Sequence, residues 1–153
     1  MKHGPVTHET ITIERTYPHA PEKVFAAWAD PKKKRRWFAE GEGFGVESYE
    51  VDFRVGGHER TLFRGTSQPP MTNETYFHDI VENRRIVMSY AMTMDGRRFS
   101  VSLATIEIEP SKDGSRMLFT EQAAFLEGAD GPEMRRAGWT KLFEQLDGTL
   151  KQS

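Results

Sequence analysis

Two glutamates sit where alternation calls for apolar side chains. In "RMLFTEQAAFL" the period of a strand puts Met117, Phe119, Glu121, Ala123 and Phe125 on one face. An acid in such a row can anchor a ligand, or act as an acid/base with a raised pKa. It can also be structural, paired with an arginine or lying past the edge of the core. The second glutamate follows two glycines in "DFRVGGHERTLF" (52–63). A two-residue turn at Gly56-Gly57 would pair Arg54 with Glu59 and turn the acid outward. A three-residue loop with a glycine bulge would pair Phe53 with Glu59, Val51 with Thr61 and Tyr49 with Phe63. The second register matches the apolar side of one strand to that of the other, and it turns Glu59 inward.

Other chemistry is missing from the sequence. "GEGFGVE" fails G-x-G-x-x-G, and "RVGGHER" lacks the lysine of a phosphate loop. There is no cysteine, hence no thiolate nucleophile or disulfide. The five histidines lack metal-ligand spacing, and no serine sits in G-x-S-x-G. No nucleophile, metal site or cofactor motif is recognisable.

The elements that would position the acids read as follows. Residues 1–8 form a flexible tail. "ETITIERTY" is a strand with Ile11 and Ile13 on one side. "APEKVFAAWAD" is a helix started by Pro21, and "KKKRRWF" is a second short helix. "AEGEGFG" (39–45) is a flexible loop. Strands follow from Val46 to Phe125. Asp95-Gly96 marks a two-residue hairpin that would pair Met92 with Phe99, Tyr90 with Val101 and Met88 with Leu103. The apolar parity then moves to Ile106 and Ile108, which implies a bulge near Thr105. At the end, Asp130 and Glu133 read as a capping box. Trp139, Leu142, Phe143, Leu146 and Leu150 line one face of a long helix.

One strand, two short helices, about six strands and one long helix make an α+β domain over residues 9–151. The 153 residues suit a single core. A net charge of −2 attracts neither nucleic acid nor an anionic membrane. No apolar run is long enough to span a bilayer, and no signal-peptide core is visible at the N-terminus. These features suit the cytoplasm. The run Lys32 to Arg36 reads as a solvated face or a docking patch for an acidic partner.

The segments "ITIERTYPHAPEKVFAAWADP", "WF" at 37–38, "DFRVGGHER", "DIVENRRIVMSYAMTMDGRR", "TEQAAFL" and "GWTKLFEQLDGTL" occur in that order. Together they resemble the START-like (SRPBCC) superfamily, in its heat-shock-protein-90 ATPase activator-like branch. The resemblance implies a helix-grip fold, with a curved antiparallel sheet of about seven strands wrapped on the long C-terminal helix. It implies an interior pocket for a small apolar or amphipathic molecule. "TYFHDI" resembles a family stretch that would bring Phe77 and Asp79 toward that pocket, although periodicity alone equally allows Tyr76, His78 and Ile80. The pocket would take apolar contact from Trp37, Phe38, Phe63, Tyr90, Met92, Val101, Trp139 and Phe143. Glu59, Glu121 and Asp79 would orient the ligand. Three functions follow from the family's range: a binding module, a cyclase or hydrolase using the pocket carboxylates, or a co-chaperone-like module contacting a chaperone. Whether the domain forms a homodimer stays open.

Overall fold

A computed structural model describes residues 4–40, 45–65 and 69–152. Most of the "AEGEGFG" loop, and the start of the tail, lie outside the described residues. The order is β1 (Thr7–Tyr17), α1 (Pro21–Ala29), α2 (Pro31–Lys34), a π-helical turn (Arg35–Ala39), β2 (Val46–Val51), β3 (His58–Phe63), β4 (Met71–Val81), β5 (Arg85–Met94), β6 (Arg97–Ser111), β7 (Gly114–Phe125) and α3 (Pro132–Gln152). The seven strands form one antiparallel sheet in the order β1-β7-β6-β5-β4-β3-β2. This is the helix-grip fold. β1 pairs with β7 from Thr7 to Tyr17, so ordered pairing begins inside the segment expected to be a tail.

The core lies between the sheet and the helices. From α3, Trp139, Phe143, Leu146 and Leu150 pack on Ile11, Ile106, Met117 and Phe119. Across the helix ends, α1 adds Val24, Phe25 and Trp28. Its chain then turns sharply. The Asp30 carboxylate accepts from the Lys32 and Lys33 backbone N–H groups, which caps α2 at Pro31. In the following turn the Glu40 N–H donates to Arg35 O, five residues back. That extra residue per turn directs Trp37, Phe38 and Ala39 together into the interior.

Three departures from alternation decide which side chains face inward. At the β2–β3 connection the last pair is Val51 with Glu59, and Tyr49 faces Thr61. The loop therefore spans Asp52 to Gly57, longer than the three-residue turn expected. A Cβ on Gly57 would lie 2.1 Å from Asp52 O, and Gly56 has φ of +86°, so both glycines are required by the backbone. The register differs from the expected one by two residues, not one, so parity is preserved and Glu59 still faces inward.

In β4 a bulge lies between Phe77 and Asp79. Asn73, Thr75 and Phe77 point inward before it. After it Ile80 turns toward the core, and Asp79 turns outward to Arg85 at 2.6 Å. Each of the two sets expected on periodicity or resemblance was therefore right for half of the strand.

In the β5–β6 hairpin Asp95 and Gly96 both have positive φ, at 52° and 79°, as a two-residue turn requires. The bulge falls at Phe99, not near Thr105. Met92 therefore pairs with Ser100, Tyr90 with Ser102 and Met88 with Ala104. One inserted residue moves Val101 and Leu103 to the outer face, where they are 43% and 41% exposed. Two serines take their place inside.

Candidate functional site

A cavity of about 610 Å3 lies between α3, the π-helical turn and the inner face of β3–β6. Its apolar walls come from Phe38, Phe63, Met71, Met92, Phe99, Trp139 and Leu142. Asn73, Tyr90, Asp130, Arg135, Lys141 and Gln145 add polar groups. A shallower depression of about 480 Å3 lies on the sheet's outer face, at the end near Val81 and Arg116. Two of its three arginines are engaged by neighbouring carboxylates, Arg85 by Asp79 and Arg116 by Glu14 and Glu109. The inner cavity is the better candidate, being concave, aromatic and continuous with the core.

Behind the cavity wall, Glu121 is fully buried. It accepts from Tyr90 Oη at 2.7 Å, Ser102 Oγ at 2.6 Å and Arg135 Nη1 at 2.8 Å. Arg135 is 7% exposed and reaches it from the first turn of α3. Its guanidinium also binds Asp130 twice at 2.8 Å, Ser100 at 2.8 Å and Tyr90 at 2.9 Å. Asp130 thus serves Arg135 instead of the capping box expected of it. Burial works against the Arg135 charge. Hydrogen bonding to Asp130 and the nearby Tyr90 and Glu121 outweigh it, and its pKa rises above the arginine value. Burial, then the Glu121 carboxylate, push the Tyr90 hydroxyl well above the tyrosine range, so Tyr90 stays a neutral donor.

The second acid is also paired. Lys34 Nζ donates to both oxygens of Glu59 at 3.0 Å, and both residues are 2% exposed. Tyr49 Oη donates to Glu59 as well. Burial and then the Glu59 charge raise the Tyr49 pKa beyond the tyrosine range. The Lys34 amine lies over the rings of Phe38, Trp28 and Trp37, at 4.3, 5.3 and 5.5 Å from their centroids. A cation from the run expected to be a solvated face or docking patch is thus one of the most buried side chains of the protein.

Of the residues singled out in the sequence, Phe38, Phe63, Tyr90, Met92 and Trp139 line the cavity. Trp37, Phe77 and Phe143 are buried in the adjoining core. Trp37 Nε1–H is bound to Ala27 O at 2.9 Å, and Phe77 packs edge-on against Phe53. Glu59 and Glu121 point inward but stop in ion pairs short of the cavity. Asp79 and Val101 lie on the outer face for the register reasons given above. Sequence reasoning missed Lys34, Arg135, Asn73 and Gln145. Helical spacing carried a signal for the two cations. Lys34 stands three and four residues before Trp37 and Phe38, and Arg135 four before Trp139, each on a buried stripe.

The family model for activator of Hsp90 ATPase homolog 1-like proteins matches residues 18–151. A Rhizobium loti protein of known structure is 42% identical, with 95% of this chain and 99% of that one covered and a TM-score of 0.88. A Rhizobium leguminosarum protein is 34% identical, covering 97% and 98%, with a TM-score of 0.93. An AHSA1-like protein of Aeromonas hydrophila shares the fold at 19% identity, covering 94% and 93%, with a TM-score of 0.72. A comparison with curated proteins gives no match.

Proposed function

The chain belongs to the family of activator of Hsp90 ATPase homolog 1-like proteins, and on that premise we propose that it is a binding module enclosing a small apolar or amphipathic molecule between the sheet and α3. The cavity lining carries this reading. Aromatic and methionine side chains surround about 610 Å3, and a few polar groups interrupt them. That volume suits a small organic ligand, and unbranched methionines such as Met71 and Met92 adapt to its shape. The proposal extends to a cytoplasmic location, which the cysteine-free sequence suits.

The geometry supports binding over carboxylate catalysis. A general acid or base must reach the substrate. Glu59 is occupied by Lys34 and Tyr49, and Glu121 by Arg135, Tyr90 and Ser102. Neither has an oxygen directed into the cavity. A chaperone contact is the reading suggested by the family's description, and stimulation of a chaperone ATPase tests it separately.

The test is native mass spectrometry of the purified protein with a thermal-shift screen of apolar amphiphiles. A ligand is expected to raise the melting temperature of the wild type more than that of Leu142→Trp, whose indole would take up part of the cavity. Circular dichroism checks that the variant is folded. An empty wild-type mass together with no shift across the screen would remove the binding reading.

A further inference from the structure

The polar groups at the inner end of the cavity are already saturated. Arg135 has five N–H groups. Nε donates to Asp130, Nη1 to Glu121 and Tyr90, and Nη2 to Ser100 and Asp130. Tyr90 Oη donates to Glu121 and accepts from Arg135 and from Trp139 Nε1. Trp139 thereby uses its single donor. Charge is over-matched as well, because the carboxylates of Glu121 and Asp130 face one guanidinium. The arginine that looks like a carboxylate receptor has no N–H left to offer and sits in a net negative cluster.

Two other lining groups are open. Gln145 lines the cavity, and its Oε1 is buried without a hydrogen-bond partner among the described residues; a rotation of its amide would turn that acceptor toward the cavity. Asn73 is 5% exposed, and its Oδ1 accepts from Thr75 Oγ1. Its amide nitrogen has no partner among the described residues. A buried acceptor without a donor is costly, so a ligand that supplies the donor gains from it. Lys141, the remaining charged lining residue, is exposed at the rim, where an ion pair contributes little.

We propose that the cavity selects an uncharged ligand with an O–H or N–H donor on an apolar body, such as an alcohol, a phenol or a neutral amide, and discriminates against carboxylates. This rests on the cavity being a ligand site. A hydroxyl donates once and accepts twice, so it can satisfy Gln145 Oε1 or accept from Asn73. An ionised carboxylate brings no donor for Gln145, finds no free N–H on Arg135 and meets the excess negative charge.

Equilibrium dialysis at neutral pH with naphthalene, 2-naphthol and 2-naphthoate tests this on one skeleton. The naphthol is expected to bind roughly tenfold or more tightly than the naphthoate, and more tightly than naphthalene. Asp130→Asn removes one negative charge and releases an Arg135 donor, so naphthoate should gain affinity relative to naphthol. Gln145→Leu should erase the advantage of naphthol over naphthalene. If naphthoate or naphthalene binds wild type as tightly as naphthol, the selectivity is overturned while the cavity remains a ligand site. If none of the three binds, selectivity and ligand reading fall together. Gln145→Leu keeps the question decidable if Asp130→Asn fails to fold, and circular dichroism reports folding for both.

Discussion

Lys34 and Glu59, 25 residues apart in sequence, hold α2 to the inner face of β3 through two 3.0 Å contacts in a site that excludes water. The contact does more than join two elements. Phe38, four residues after Lys34, lies over its amine and forms part of the cavity wall. The ion pair therefore fixes the position of the π-helical turn against the cavity.

Removing one partner leaves the other charged and buried. Glu59→Ala should cost roughly 3–5 kcal/mol of unfolding free energy. A Lys34→Met, Glu59→Leu double variant should cost well under the sum of the singles, since no lone charge remains. Urea denaturation of wild type, Glu59→Ala, the singles Lys34→Met and Glu59→Leu, and the double variant measures this. A Glu59→Ala cost below about 1 kcal/mol would show that water reaches the pair.

Glu121 gives a parallel case with a different outcome for the cavity. Glu121→Ala should also destabilise by roughly 3–5 kcal/mol, because the buried donors of Tyr90, Ser102 and Arg135 lose their shared acceptor, although Asp130 still balances the guanidinium. Serine truncation is milder, and Ser102→Ala should cost about 1–3 kcal/mol. A Glu121→Ala variant more stable than wild type would mean that the acid is retained at the expense of stability, and that function holds it there.

Elements with strong periodicity were legible in the sequence, and so was the fold. Glu121 was identified as inward because β7 alternates without interruption from Met117 to Phe125. Glu59 was identified for a partly wrong reason, since the loop is longer than three residues but differs by an even number. The misplaced residues, Asp79 and Val101, both follow bulges: no local residue pattern announced the one at His78, and the parity shift that announced the other placed it near Thr105 instead of Phe99. Bulges are set by how neighbouring strands curve over the helix, which is a tertiary cause. Partners were harder still. The sequence offered ten Lys and Arg side chains before Arg64 for Glu59 to choose from, and only the placement of α2 selects Lys34.

Two glycines in α3, Gly138 and Gly148, have nothing within 4 Å of a built Cβ. Neither has the positive φ that would require glycine. Replacing each by alanine should stabilise the protein by about 0.5–1 kcal/mol, through helix propensity and a less flexible unfolded chain. Thermal unfolding of Gly148→Ala, which lies away from the cavity lining, is the cleaner measurement. A loss of stability there would point to a contact on that face of α3.

Three of the four tyrosines carry hydroxyls whose pKa is raised by burial: Tyr17, Tyr49 and Tyr90. Each is a donor in the folded state, to Phe143 O, Glu59 and Glu121. Folding therefore favours the protonated form. A raised pKa gives stability that is complete below the unfolded tyrosine value of about 10 and declines as pH rises above it, because the unfolded chain then holds fewer protons. Tyrosinate absorbance and far-ultraviolet circular dichroism followed together through alkaline pH should show these three hydroxyls ionising only as the fold is lost. Tyr49→Phe and Tyr90→Phe should each make the alkaline decline shallower, since one linked proton is removed, while lowering stability at neutral pH through the lost hydrogen bond to a buried carboxylate. Full ionisation of the tyrosines with the dichroism unchanged would show that these hydroxyls reach water in the native state, and the two networks would then be open rather than closed.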